Sequence, residues 1–230
     1  MNNFTYSVPT KIHFGKGQIS HLYELSESGN KVLLCYGGGS IKKAGIYDEA
    51  VKILKEEDIE IFELSGIAPN PKIESVREGV KLCKENDIDM VLAIGGGSVI
   101  DCAKVVAAGA CYDGDPWDLV ITPRWIKKAL PIYSVLTLSA TGSEMDPFAV
   151  ISDMSKNEKW GTASEHMKPK MSILDPEYTY SVSKKQTAAG TADMISHICE
   201  NYFTNVKNAD VQARFAEGLL KNCFKYGPIA

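Results

Sequence analysis

No stretch of the sequence reaches the ~18 consecutive apolar residues of a membrane span. The first ten residues, Met1 to Thr10, carry neither the basic start nor the apolar run of an export signal. Cationic excess is also missing. The 25 Lys and Arg residues stand against 29 Asp and Glu, a net charge of −4, which argues against a nucleic-acid partner, whose binding face needs surplus Lys and Arg. The six cysteines form no CxxC pair, and several sit inside apolar runs, the pattern of small core residues in a reduced, cytoplasmic protein. Internal repeats and low-complexity segments are lacking as well. What is present is ordinary for a globular chain: 230 residues, 44% hydrophobic and 23% charged. That excludes a disordered, collagen-like or coiled-coil protein and leaves room for one large domain, or one domain and part of another.

The first half alternates between two periods. Val32–Tyr36 is a short apolar run ending in three glycines, and Lys42 to Asp58 has helical spacing. Ile59–Leu64 alternates as a strand, Pro69-Asn70-Pro71 breaks the chain, and Ile73 to about Asn86 reads as an amphipathic helix. Met90–Ile94 is a second continuous apolar run stopped by glycines, and Val99 to Cys111 reads as a mostly buried helix. This βαβαβα order predicts an α/β fold, a Rossmann-like parallel sheet covered on both faces. Ile132–Leu138 is a further strand, and Phe148–Ser152 and Ser172–Leu174 are shorter ones, the first suited to one arm of a hairpin. From Lys184 only helical pattern remains, over about 185–204 and 208–225. The expected organisation is a dinucleotide-binding domain over 1–180, then the start of an all-helical domain over 181–230. Two helices bury little by themselves, so the chain is expected to be incomplete at its C-terminal end.

Two glycine turns carry the chemistry. Gly95-Gly96-Gly97-Ser98 follows a buried strand and opens a helix. Glycines admit close approach of a ligand to the backbone, and the free N–H groups of the helix start favour an anion, a diphosphate above all. The alternative is a tight strand-to-helix turn with no ligand. The fingerprint GxGxxG is not met, because Ile100 stands where the third glycine would be. Gly37-Gly38-Gly39-Ser40 repeats the device at the first strand, with Lys42 in the third glycine's place. No carboxylate follows there, where an NAD enzyme would hold the ribose hydroxyls. Ser40, Lys42 and Lys43 suit a 2′-phosphate instead, which favours NADP(H) on Gly38, Gly39 and Ser40; the two lysines equally suit a solvated helix face. A third loop, Thr137 to Glu144, is rich in hydroxyls able to donate to phosphate or ribose oxygens.

In the first helix of the second part, Asp193 and His197 are i and i+4 and share one helix face. A carboxylate and an imidazole so placed can bind one divalent ion. A surface Asp–His pair is the bland alternative, and two donors do not complete a site. The other histidines, His13, His21 and His166, lie in the sheet region and are not expected to join them.

Together these residues resemble the iron-containing (group III) alcohol dehydrogenase family, closest to its NADPH-dependent butanol/aldehyde dehydrogenases. The resembling stretches are Thr10 to Gly17, Tyr36 to Lys43, Pro69-Asn70-Pro71, Gly95 to Lys104, Ala140 to Met145, Leu174-Asp175-Pro176 and Asp193 with His197. The resemblance implies that Gly95, Gly96, Gly97 and Ser98 hold a pyrophosphate with Asp101 beside it. It implies that Gly38, Gly39 and Ser40 take the 2′-phosphate. Thr137, Leu138 and Thr141 would line the nucleotide cleft, and Lys159 would reach the cofactor. Asp193 and His197 would be two of four ligands to Fe2+ or Zn2+, the other two being histidines further along the helical domain.

The activity so implied is interconversion of primary alcohols and aldehydes by hydride transfer with NAD(P)H. The metal would handle the substrate oxygen, and no protein nucleophile is needed. The implied partners are a small alcohol or aldehyde and, in the complete protein, a second copy. A glycerol-type polyol dehydrogenase of the same superfold is the second enzyme reading, and a catalytically inactive nucleotide-binding fragment the third. Dehydroquinate synthase, a lyase with the same sheet, would need a basic cluster near Asp193 to His197 that is lacking.

Overall fold

The computed structural model describes residue 3 and residues 5–230. Six strands form one parallel sheet: β1 (Lys11–Phe14), β2 (Lys31–Tyr36), β3 (Glu60–Leu64), β4 (Met90–Gly95), β5 (Ile132–Leu136) and β8 (Met171–Leu174), in the order β1-β8-β5-β4-β2-β3. Strands β6 (Phe148–Asp153) and β7 (Glu158–Ala163) form a separate antiparallel hairpin.

The continuous apolar runs are the central strands β2 and β4, where both faces are covered. Leu33, Cys35, Val91 and Ala93 pack on one face with residues of α3 (Ile73–Glu85) and α4 (Gly97–Ala110). Val32, Leu34, Met90 and Leu92 pack on the other with α2 (Ile46–Glu56) and a 3₁₀-helical segment, Gln18–Ser28. The alternating run is the edge strand β3, which buries Leu64 and exposes Glu60 and Glu63. A strand half open to solvent needs only one apolar face.

The chain leaves β2 outward to β3 and then returns across β2 to β4. The strand order therefore reverses between β2 and β4, and the crevice beyond their carboxyl ends is where open α/β sheets bind ligands. Both glycine turns emerge there.

Four local features depart from the expected pattern. The helix expected over 42–58 is two, α1 (Ser40–Lys43) and α2, because Gly45 takes φ 76° and ends the first. Strand β1 and the 3₁₀ segment have no counterpart in the sequence pattern. Helix α5 (Pro116–Ile121) was also passed over, although Asp115 caps it by accepting from the Trp117 N–H at 2.8 Å and proline opens it.

Helices α6 (Lys184–Tyr202) and α7 (Asp210–Tyr226) follow, with Ser183 capping α6 through the Gln186 N–H. They bury only Gly190 and Ala216 fully, and Phe203, Val211, Phe215, Leu219 and Phe224 are exposed. No helix among the described residues is long and apolar enough to cross a membrane.

Candidate functional site

The turn after β4 divides its glycines between packing and ligand access. Gly95 is buried, and a Cβ there would lie 2.6 Å from Val99 Cγ2, so this glycine lets α4 fold back onto the strand. A Cβ on Gly97 would lie 2.6 Å from Thr141 Oγ1, so the helix start and the hydroxyl loop approach as closely as backbone allows. No side chain caps α4. Its first N–H groups, which no helix can satisfy internally, are therefore available to an anion.

A cavity of about 420 Å³ opens at this point. It is lined by Gly97, Ser98, Asp101, Thr141 and Lys159 from the sheet region, and by Asp193 and His197 of α6. A second cavity, of about 290 Å³, lies beside it and is lined by Ser40, Gly96, Thr137 and Leu138, with Tyr178 and Gln186 opposite. Gly38, Gly39 and Gly95 line neither. Gly38 is exposed, and a Cβ on Gly38 or Gly39 would meet nothing within 4 Å.

Helix α6 reaches the cavity because of Gly190. A Cβ there would sit 2.9 Å from the Ser139 carbonyl oxygen, so only glycine lets the helix lie against the loop after β5. Asp193 and His197 follow on the same side, with His197 Nε2 3.7 Å from Asp193 Oδ2. Both side chains are about half exposed, at 44% and 52%. An oxygen and a nitrogen donor so spaced suit a borderline divalent cation, as two of the several donors such an ion needs.

Beneath the cavity lies a polar network that sequence reasoning did not find. Lys104 sits in the apolar helix α4 with no exposed surface, and its ammonium donates to Ser143 Oγ (2.9 Å), Asp146 Oδ1 (2.8 Å) and the Phe148 carbonyl (2.8 Å). Ser143 in turn donates to Asp101 Oδ1 at 2.6 Å, and the Val150 N–H donates to Asp101 Oδ2 at 2.9 Å. Burial pulls the Lys104 ammonium below its ordinary pKa and lifts the Asp101 carboxyl above its own, against the hydrogen bonds from Ser143 and Val150. Asp101 thus lines the cavity, yet its carboxylate is held by its own chain, tying α4 to the β6 hairpin. The signal was a lysine three residues after an aspartate on a helix with no other charge.

Asn70 was also missed. With φ 55° between two prolines, it donates its N–H to Ser98 Oγ (3.3 Å) and accepts from Lys159 Nζ at 2.7 Å, closing the cavity's outer wall. Asn tolerates that left-handed conformation, which marks a turn.

The reading at the first glycine turn needs correction. The local sequence has no carboxylate there, but the neighbouring strand brings one. Glu63 of β3 accepts from the Tyr36 and Tyr47 hydroxyls, and Lys42 Nζ lies 3.7 Å from it and over both rings. Lys42 is therefore committed to Glu63, and Glu63 lines neither cavity.

A parallel sheet with an uncapped glycine turn at its strand-order reversal, beside a carboxylate–imidazole pair, defines a Rossmann-like α/β protein with a candidate anion site and a candidate metal centre. The family description "Iron-containing alcohol dehydrogenase" matches residues 9–176. The chain belongs to that family. It is 58% identical to the NADH-dependent butanol dehydrogenase A of Clostridium acetobutylicum and 44% identical to the NADPH-dependent aldehyde reductase YqhD of Escherichia coli. Each match takes in 100% of this chain, but 59% and 60% of those proteins. Among solved structures, the NADH-dependent butanol dehydrogenase A of Thermotoga maritima superimposes with a TM-score of 0.95 at 46% identity, over 99% of this chain and 57% of that one. The chain thus spans about 59% of the length of the curated relatives it matches.

Proposed function

We propose that this chain forms the cofactor half and the first metal donors of an NAD(P)H-dependent oxidoreductase that interconverts primary alcohols and aldehydes of the butanol type. The supporting observation is a single cavity with the α4 helix start on one wall and Asp193 and His197 on the other. Relatives named as butanol dehydrogenases and as an aldehyde reductase support the substrate class. On this reading residues 181–230 begin a helical metal-binding unit and the sheet region is the dinucleotide-binding unit.

The α4 N–H groups at Gly97 and Ser98 bind the diphosphate, and Thr137, Leu138 and Thr141 hold the nucleotide in the adjoining crevice. Lys159, held by Asn70, stands at the outer wall. Asp193 and His197 hold a divalent ion, Fe2+ or Zn2+. Held there, the ion would supply Lewis-acid polarisation of a substrate oxygen, and a nicotinamide cofactor would supply or take the hydride. The protein's own work is to hold the cofactor-binding residues and the metal donors on facing walls of one cavity and to keep the wall beneath them fixed. Gly190 does the first by seating α6, and the Lys104 network does the second by fixing the 143–150 segment.

For the finer cofactor choice we infer NADP(H). Ser40 and the open backbone at Gly38 and Gly39 leave room for a 2′-phosphate, and Glu63 is already neutralised by Lys42. The relatives' names divide between NADH and NADPH, so Gly38→Asp decides. It should weaken NADPH at least tenfold and leave NADH nearly unchanged; equal effects on both would remove the argument. The activity itself is tested by following NAD(P)H consumption with butanal and added Fe2+ or Zn2+. Turnover that is lost in His197→Ala supports the reading. Turnover that His197→Ala leaves intact contradicts the metal role, and tight NADPH binding with no turnover favours an inactive nucleotide-binding fragment.

A further inference from the structure

The cavity that holds Asp193 and His197 also has an apolar wall, lined by Phe148 and Val150 of β6. These two are i and i+2 on one strand, so they project from the same face of the hairpin. Their neighbours Ala149 and Ile151 turn the other way into the core, at 1% and 0% exposure. Phe148 is 60% exposed. Gly161 pairs with Val150 across the hairpin, and a Cβ there would meet nothing within 4 Å, so the face is open at that point.

A single exposed aromatic is ordinary on a protein surface. Two further observations set Phe148 apart. The first is how firmly its strand is held. The Phe148 N–H donates to Asp146 Oδ1 at 2.9 Å, and its carbonyl accepts from Lys104 Nζ at 2.8 Å. The Val150 N–H donates to Asp101 Oδ2 and the Ser152 N–H to the Pro71 carbonyl, both at 2.9 Å. The edge of β6 turned away from β7 is thus tied down along its length, where a third strand would otherwise pair. An exposed side chain on so fixed a backbone is preorganised for contact with a ligand.

The second is what shares the cavity with it. A carboxylate and an imidazole able to serve an oxygen-binding cation stand in the same space as two apolar side chains. That pairing suits a molecule with one oxygen end and an alkyl tail.

We propose that Phe148 and Val150 form the alkyl-binding wall of the cleft, and that Phe148 makes the chain select an alkyl alcohol or aldehyde over a diol of the same size. The inference rests on the activity proposed above. Each methylene buried on the wall strengthens binding roughly fourfold. A hydroxyl in its place meets no donor or acceptor on either side chain and gives up water to sit there.

The test is equilibrium binding, read by NMR as saturation transfer from protein to ligand protons. Zn2+ and NADH are present, and NADH with an alcohol cannot turn over. Butan-1-ol and propane-1,3-diol, which have the same number of heavy atoms, are titrated separately. The parent should bind butan-1-ol more tightly, with the strongest transfer at its methyl end. Phe148→Ala should weaken butan-1-ol at least fivefold and change propane-1,3-diol less than twofold. Phe148→Leu, which keeps an apolar contact, should stay within threefold of the parent for both, and thermal melting confirms that the variants fold. Phe148→Ala that binds butan-1-ol as the parent does, or that weakens both ligands equally, overturns the alkyl wall and leaves the proposed activity standing. Butan-1-ol that does not bind the parent overturns the proposed activity, and the wall with it.

Discussion

Replacing Lys104 with methionine keeps most of the side chain's length, one atom short, and removes its charge. In the structure that charge meets Ser143, Asp146 and the Phe148 carbonyl, all at 2.8–2.9 Å, from a position with no exposed surface. Its loss strands Asp146 and leaves the inner carboxylate, Asp101, without the nearby cation that favours its charge. Breaking a buried ion pair by removing one partner costs about 3–5 kcal/mol. Asp146 is 31% exposed and keeps some contact with water, so a loss somewhat below that span, ~2–4 kcal/mol, is expected. For a chain of this size each kcal/mol corresponds to roughly 2–4 °C in melting temperature. Urea titration followed by tryptophan fluorescence measures the change directly. The same variant should weaken nucleotide binding, because the 143–150 segment is then untied from α4. A loss below about 1 kcal/mol, the level of an ordinary neutral hydrogen bond, would refute the view that Lys104 is the keystone beneath the cavity.

Three further outcomes are expected. Gly97→Ala drives a Cβ to within 2.6 Å of Thr141 Oγ1, and fluorescence titration should show NAD(P)H affinity reduced at least tenfold, about 1.4 kcal/mol; unchanged affinity would show that the turn is packing alone. Gly190→Ala crowds the Ser139 carbonyl at 2.9 Å and should lower metal-dependent turnover more than it lowers nucleotide affinity, since it moves α6 and not the glycine turn. For Asp101, burial raises the folded carboxyl's pKa above its unfolded value. The folded state then holds the proton to higher pH, so the group's contribution is most favourable below the unfolded pKa and declines as pH rises through the folded one. Asp101→Asn lacks this term. Its stability relative to the parent should therefore fall as pH is lowered from about 7 to 4, as read from urea midpoints, and a difference that moves the other way would contradict the assignment.

The sheet was legible in the sequence because the continuous runs Val32–Tyr36 and Met90–Ile94 could only be strands covered on both faces, and the glycines that stop them mark the crevice. The β1 edge was not: β1 is four residues long, and the 3₁₀ segment beside it has too weak a periodicity to announce itself. Of the site, the glycine turns and the Asp193/His197 pair were readable as local spacing. The Lys104 network and the carboxylate of Glu63 were not, since their partners lie 16 to 49 residues apart in the chain. Asp101 shows the difference most clearly. Its spacing after the glycines suggests a ligand contact, whereas its oxygens are taken by Ser143 and Val150.

The α4 glycine turn and the Asp193/His197 pair face one another across a single cavity. Broadening of the nicotinamide proton signals of bound NAD(P)H by Mn2+ tests it most directly, because the effect falls steeply with distance from the ion. Strong broadening that disappears in Asp193→Asn/His197→Ala is predicted. Bound cofactor whose nicotinamide signals stay sharp with Mn2+, or broaden equally in that variant, would contradict it.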